Sequence, residues 1–173
     1  MARDILKTLQ SEHDALRELF EQINDTTDRA KKKRADLLDQ IEKNLLPHAK
    51  WEETVFYPAF AERADRDGLQ THAEAVEEHR AVELTVIPDL HAAEVDTPAF
   101  AGRAKVFGEL IDHHATEEET TMFKMARKLF SAKERAELDE QYAEWKASPA
   151  AAAAVVHAQT KTGLKSVVRA LTQ

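Results

Sequence analysis

PHAKWEETVFYP, residues 47–58, places His48 four positions before the first of two glutamates, beside Leu45, Leu46, Val55 and Phe56, which belong in a helix interior. The chain contains this pattern twice. HATEEETTMF, starting at His114, aligns with HAKWEETVF, starting at His48, at an offset of 66 residues, so Glu52 falls opposite Glu118 and Glu53 opposite Glu119. Counting back 35 residues from His48 gives His13, and from His114 gives His79, so the same offset relates two further histidines. Six polar residues, His13, His48, Glu52, His79, His114 and Glu118, therefore follow one two-fold repeat, and each half reads as a helical hairpin.

The rest of the chain fits that reading. At 173 residues it matches a single domain, and its four glycines, five prolines and abundant Ala, Leu, Glu and Lys favour helix over sheet. Apolar residues recur at three and four over about Asp4 to Asn24, Thr27 to Ala64, Leu69 to Glu94, and from Thr97-Pro98 to Phe130. The second and third segments are separated by the turn-forming run Asp65-Arg66-Asp67-Gly68. Four long amphipathic helices with short connections predict an all-α, antiparallel up-down-up-down four-helix bundle. Ser131 and Glu134 form a capping box that opens a shorter helix to about Trp145, and Ser148-Pro149 opens a last one, Ala150 to Leu171. The expected organisation is a bundle with its short following helix over 1–147 and a C-terminal amphipathic helix over 148–173, packed on the bundle or on a second subunit as in a homodimer. Pro47, Pro58 and Pro88 lie inside the periodic segments and should kink or interrupt them.

Residues four apart share one helix face, so His48 with Glu52, and His114 with Glu118, can reach common centres. His13 shares its face with Leu6, Leu9, Leu16 and Phe20, and His79 with Val76, Val82 and Val86, so all six polar residues point into the core. A lone inward histidine is more often a hydrogen-bonded core residue than a ligand, and one H-x-x-x-E is weak by itself. The joint pattern is stronger. Burying two ionised carboxylates among four imidazoles without partners costs several kcal/mol per group, against a net stability of roughly 5 to 15 kcal/mol. Two divalent cations, about +4 in all, offset that cost.

Composition narrows the chemistry. With no cysteine, a metal site must be built from nitrogen and oxygen donors, which also suit manganese, zinc and copper. The net charge is −8, with about −12 before Lys146 and about +4 from Lys146 onward, and an acidic body is a poor counterpart for nucleic acid. The start, MARDILKTLQSEHD, has scattered charges rather than an apolar block, so a cytoplasmic protein without a membrane span is expected.

The pattern H…H-x-x-x-E…H…H-x-x-x-E, with its E-E pairs and F-Y-P-A-F after the first, resembles the hemerythrin-like, or HHE cation-binding, family over about residues 3 to 130. The resemblance implies two non-haem irons with a bridging oxo or hydroxo group, Glu52 and Glu118 bridging both metals, and the four histidines as terminal ligands. The chain departs from the oxygen carriers of that family. Those have H-x-x-x-H on the third helix, whereas here Ala75 and Glu83 flank His79. The missing fifth histidine argues against simple oxygen carriage and toward reaction with O2, hydrogen peroxide or nitric oxide, with catalase-like peroxide removal as the enzymatic reading. The alternative is a non-enzymatic module that binds or senses oxygen, nitric oxide or iron.

Other residues rank lower. His113 and Glu117 copy the ligand spacing but break the offset, so they read as outward or adjacent to the site. His72, two turns before His79 on a similar face, reads first as packing, with a place beside the site or an extra ligand in a rotated bundle as the alternatives, and Glu53 and Glu119 read as solvated or as partners of the histidine N–H groups. Tyr57 lies just over one turn from Glu52 and offers a phenol; Phe56, Met122 and Met125 read as apolar wall or core. His91 and His157 have no partners in the pattern and read as exposed.

Overall fold

The computed structural model describes residues 3–156, and its regular elements there are all helical. α1 spans Ile5–Asn24 and α2 Lys31–Trp51. α2 runs through a π segment, Glu52–Phe56, into α3, Tyr57–Ala61. α4, Arg66–Ala81, continues likewise through Val82–Val86 into α5, Ile87–His91. α6, Pro98–Glu117, continues through Glu118–Met122 into α7, Phe123–Leu129. α8 spans Ala132–Lys146, and residues 149–156 form the described part of α9. The four long rods make the expected antiparallel bundle, with α8 packed against α1 and α2. Among the described residues no helix is long and apolar enough to cross a membrane.

Local chemistry sets the helix ends. Asp4 accepts from the Leu6 N–H at 3.1 Å, Thr97 from the Phe100 N–H at 3.3 Å, and Ser131 with Glu134 closes the expected capping box. The Asp65–Gly68 run is not a free turn. The Asp65 carboxylate accepts from the Gly68 N–H at 3.0 Å and caps α4, so the helix starts at Arg66 rather than near Leu69.

The three π segments are the largest departure from the sequence reading. In each, the N–H following the segment bonds five residues back: Tyr57 to Glu52, Ile87 to Val82 and Phe123 to Glu118. Pro58 and Pro88 are the second residues after the first two, at the start of α3 and α5, while α2 continues through Pro47. Proline is not the cause, because position 124, the repeat counterpart of Pro58, is Lys124. Thr54 donates to the Lys50 carbonyl at 2.7 Å, and Thr120, its repeat counterpart, to the Thr116 carbonyl at 2.6 Å. Each hydroxyl satisfies a carbonyl that the wide turn would otherwise leave short of a donor.

The apolar core has two parts separated by a polar layer. One holds Leu9, Trp51, Ala75 and Met122; the other holds Leu16, Leu45, Val82 and Ile111. Along each rod the repeat residues fall between the two: His13 between Leu9 and Leu16, His48 between Leu45 and Trp51, His79 between Ala75 and Val82, His114 between Ile111 and Met122. Phe56 and Met122 are fully buried and Met125 packs against them, as expected of an apolar wall.

Ala151 and Val155 of α9 are buried. The remainder of the expected C-terminal helix, with Leu164, Val167, Val168, Leu171 and also His157, lies outside the described residues.

His91 is exposed as expected but has a partner: its ring nitrogen meets the buried Glu42 carboxylate. The Glu42 hydrogen bond, opposed by partial burial, raises the His91 pKa above its ordinary 6.5. A folded-state pKa above the unfolded one contributes stability that is fully present below 6.5 and is lost as pH rises through the raised value. His91→Gln should therefore lower the melting temperature by about 2 °C near pH 5.5, and by much less near pH 9. An equal deficit at both pH values in calorimetry would refute the pairing.

Candidate metal centre

The six repeat residues arrive at one place from four rods. The four histidines are between 2% and 7% exposed, Glu118 is 2% and Glu52 is 0%. They form two groups that share Glu52: His13, His48, Glu52 and Glu118, and then Glu52, His79 and His114. In the first, Nε2 of His13 and His48 are 3.2 Å apart, with Glu118 Oε2 3.3 Å from His13 and Glu52 Oε1 3.1 Å from His48. In the second, Nε2 of His79 and His114 are 3.0 Å apart, with Glu52 Oε2 3.7 Å from His79 and Glu118 Oε2 3.9 Å from His114.

The outer nitrogens of the histidines are ordered too. Each Nδ1 faces a carboxylate: His13 that of Glu119 at 2.9 Å, His48 that of Glu12 at 2.8 Å, His79 that of Glu53 at 3.4 Å, and His114 that of Glu78 at 2.7 Å. Such partners fix the tautomer and turn the Nε2 lone pairs inward. The expectation for Glu53 and Glu119 as histidine partners agrees with this geometry. Glu12 and Glu78 escaped the sequence reading, although the signal was present: each immediately precedes one of the lone histidines, and the two obey the same 66-residue offset. Glu12 and Glu78 hold the histidine of their own hairpin, whereas Glu53 and Glu119 reach across to the other.

Outer cations compensate the outer carboxylates. Arg17 reaches Glu119 at 2.9 Å, Lys146 reaches Glu12 at 3.3 Å and Lys50 reaches Glu53 at 3.2 Å. α8 adds Tyr142, whose buried hydroxyl donates to Glu12, while Trp145 Nε1 donates to the Pro47 carbonyl at 3.0 Å. The short following helix thus braces His48 through Glu12.

The two groups differ at their edges. Tyr57 donates to Glu118 Oε1 at 2.8 Å and lies 3.4 and 3.5 Å from Nε2 of His79 and His114. Its repeat counterpart, Phe123, is stacked on His13 at 5.9 Å. His72 packs edge-on against the Tyr57 ring at 5.9 Å and belongs to neither group. His113 is 61% exposed, with Glu117 and Glu78 3.5 and 3.7 Å away, so it faces outward as expected.

The electrostatics show strong coupling. Burial disfavours the His48 imidazolium, but the charge of Glu52 and the hydrogen bond to Glu12 outweigh it and push its pKa up to about 10. Burial is likewise overcome at His114, which is raised chiefly by Glu118. Glu12 is held down at about 2 because His48 and Tyr142 outweigh its burial. Burial, then Glu118, raises the Tyr57 phenol well above its ordinary 10.0, so it keeps its proton.

These residues fit a cation. Both oxygens of Glu52 and Oε2 of Glu118 are buried without any hydrogen-bond partner, a condition that native interiors rarely tolerate. The carboxylate oxygens and the four Nε2 atoms converge, and imidazole with carboxylate is a ligand set for divalent first-row metals. The arrangement can hold two cations that share Glu52.

Comparison with known proteins is consistent with this chemistry. The sequence profile described as Hemerythrin HHE cation binding domain matches residues 4–126. The fold is similar to the crystal structure of a hemerythrin HHE cation binding domain-containing protein from Mycobacterium kansasii, with a TM-score of 0.72 and 22% identity over 90% of this chain and 98% of that one. No curated protein matches the chain.

Proposed function

Because the chain belongs to the hemerythrin HHE cation-binding domain family, we propose that it is a non-haem diiron protein that removes hydrogen peroxide or a related oxidant. His13, His48 and Glu118 would hold one iron, His79 and His114 the other, and Glu52 would serve both. When bound, the pair supplies two-electron redox chemistry, which suits disproportionation of two hydrogen peroxide molecules to oxygen and two waters. The observation that carries the metal assignment is Glu52, fully buried between the two histidine pairs with neither oxygen hydrogen-bonded.

The chain's own groups do the positioning. Glu119, Glu12 and Glu78 hold the rings of His13, His48 and His114 and keep protons on their outer nitrogens, while Glu53 stands 3.4 Å from that of His79. Phe56, Met122 and Phe123 exclude water from one side. Tyr57 supports reaction rather than simple storage, because its protonated hydroxyl, donating to Glu118, places a hydrogen-bond donor beside His79 and His114.

His114→Ala should reduce peroxide consumption at least about 100-fold, and Tyr57→Phe about 10-fold with metal content unchanged. Oxygen evolution measured with metal content tests both. One-to-one binding of oxygen or nitric oxide by the unaltered protein, with no peroxide turnover, would contradict this reading and favour the binding or sensing module.

A further inference from the structure

A second space lies beside the centre. A cavity of about 500 Å³ opens between α2, the Val82–Val86 segment, α6, α8 and α9, lined by Leu46, Val82, Ile87, Ile111 and Trp145. α9 contributes Ala150, Ala153 and Ala154, which leave room where larger side chains would fill it. His79, together with Glu53, Glu83 and Lys50, provides its polar part.

The size does not suit peroxide alone. A water occupies roughly 30 Å³ of liquid, and hydrogen peroxide is little larger, so the cavity exceeds either more than about tenfold. It falls instead within the roughly 300 to 1,000 Å³ typical of organic-ligand sites, with walls that hold water poorly. Charge narrows the class further. Two carboxylates face one ammonium, and Lys50 is already engaged by Glu53 at 3.2 Å, so an anionic head group is disfavoured. His79 Nδ1 has no hydrogen-bond partner, since Glu53 stands 3.4 Å away without bonding it.

We infer that this cavity binds a neutral amphiphile of about six to ten carbons, with its chain along Leu46, Ile87 and Trp145 and a hydroxyl or hydroperoxyl end toward His79. Binding needs no turnover, so it stands or falls separately from the peroxide reading. If peroxide removal is the function, the site admits organic hydroperoxides as well as hydrogen peroxide.

Titrating the full chain with 1-octanol, read by calorimetry and by Trp145 emission, tests the inference. One molecule should bind per chain with Kd on the order of 0.1 mM, and octanoate, its anionic counterpart, at least about 10-fold more weakly. Ala153→Trp should fill the cavity and weaken octanol binding at least about 10-fold while leaving the melting temperature unchanged. Absence of saturable octanol binding would overturn the inference; octanoate binding as tightly as octanol would overturn the neutral class. The comparison of the two ligands on the unaltered protein decides the matter even if the variant folds poorly.

Discussion

Glu52→Gln should lower bound metal from about two ions per chain to less than one, and its effect on stability should reverse sign between the metal-loaded and metal-free protein. Glu52 is the one residue shared by both ligand groups, so its loss weakens each. With metal present, the variant forfeits the binding free energy that stabilises the folded state. Without metal, it removes a buried carboxylate whose oxygens have no hydrogen bonds, and it relieves His48 of the need to hold a compensating proton. Because desolvating such a buried pair can exceed its mutual attraction, replacing the carboxylate by a neutral amide while His48 gives up its proton should raise metal-free stability by about 1 to 3 kcal/mol. Elemental analysis, with thermal melts before and after chelation, checks both halves. A variant that keeps two ions, or that is destabilised when metal-free, would contradict the role assigned to Glu52.

Inserting one alanine after Thr54 should have the largest effect on folding. The π segment Glu52–Phe56 already takes up one residue more than an α-helical turn needs, and a second extra residue rotates α3 by about 100° relative to α2. That rotation carries Tyr57 and Phe60, both fully buried, off the core face and breaks the Tyr57 contact with Glu118. The loss should be about 4 kcal/mol or more, lowering the melting temperature by roughly 10 °C. Thr54→Val keeps the residue count and removes only the hydroxyl donated to Lys50, so it should cost about 1 kcal/mol. If the insertion melts within about 2 °C of the parent, the residue count of the wide turn does not set the facing of α3.

The contrast between these two sites explains what the sequence made legible. Ligand spacing is a property of the helix repeat itself, so His48 with Glu52 and His114 with Glu118 announced themselves, and the shared offset brought in His13 and His79. The bundle followed from the same periodicity. The π segments left no such mark, because a single extra residue shifts the register without a glycine or proline to signal it; Pro47 lies in an unbroken helix, while Lys124 follows a π segment as closely as Pro58 does. The Glu12–His13 and Glu78–His79 pairs are legible in the same offset, since each acid immediately precedes its histidine. Tyr142 was not readable, since its contact with Glu12 depends on how α8 lies across α1 and α2. The cavity was equally hidden: a run of small residues at Ala150–Ala154 becomes an open space only once α9 is set against Leu46 and Trp145.

The asymmetry between the halves has a functional consequence. Sequence repetition gives each half two histidines, a shared glutamate and two outer carboxylates, but Tyr57 faces one half and Phe123 the other. The cavity likewise reaches His79 and none of the other three histidines. On the proposed oxidant chemistry, the Tyr57 hydroxyl and the cavity coincide on the His79 and His114 side, which is where an incoming molecule should bind.

The most direct measurement of the central claim is the metal content of the protein after anaerobic reconstitution with ferrous iron, taken with its absorption spectrum on exposure to air. About two irons per chain, with near-ultraviolet charge-transfer bands appearing on oxidation, is the predicted result. No retained iron, or a single ion that survives Glu52→Gln, would show that the six converging side chains are not a shared two-metal site.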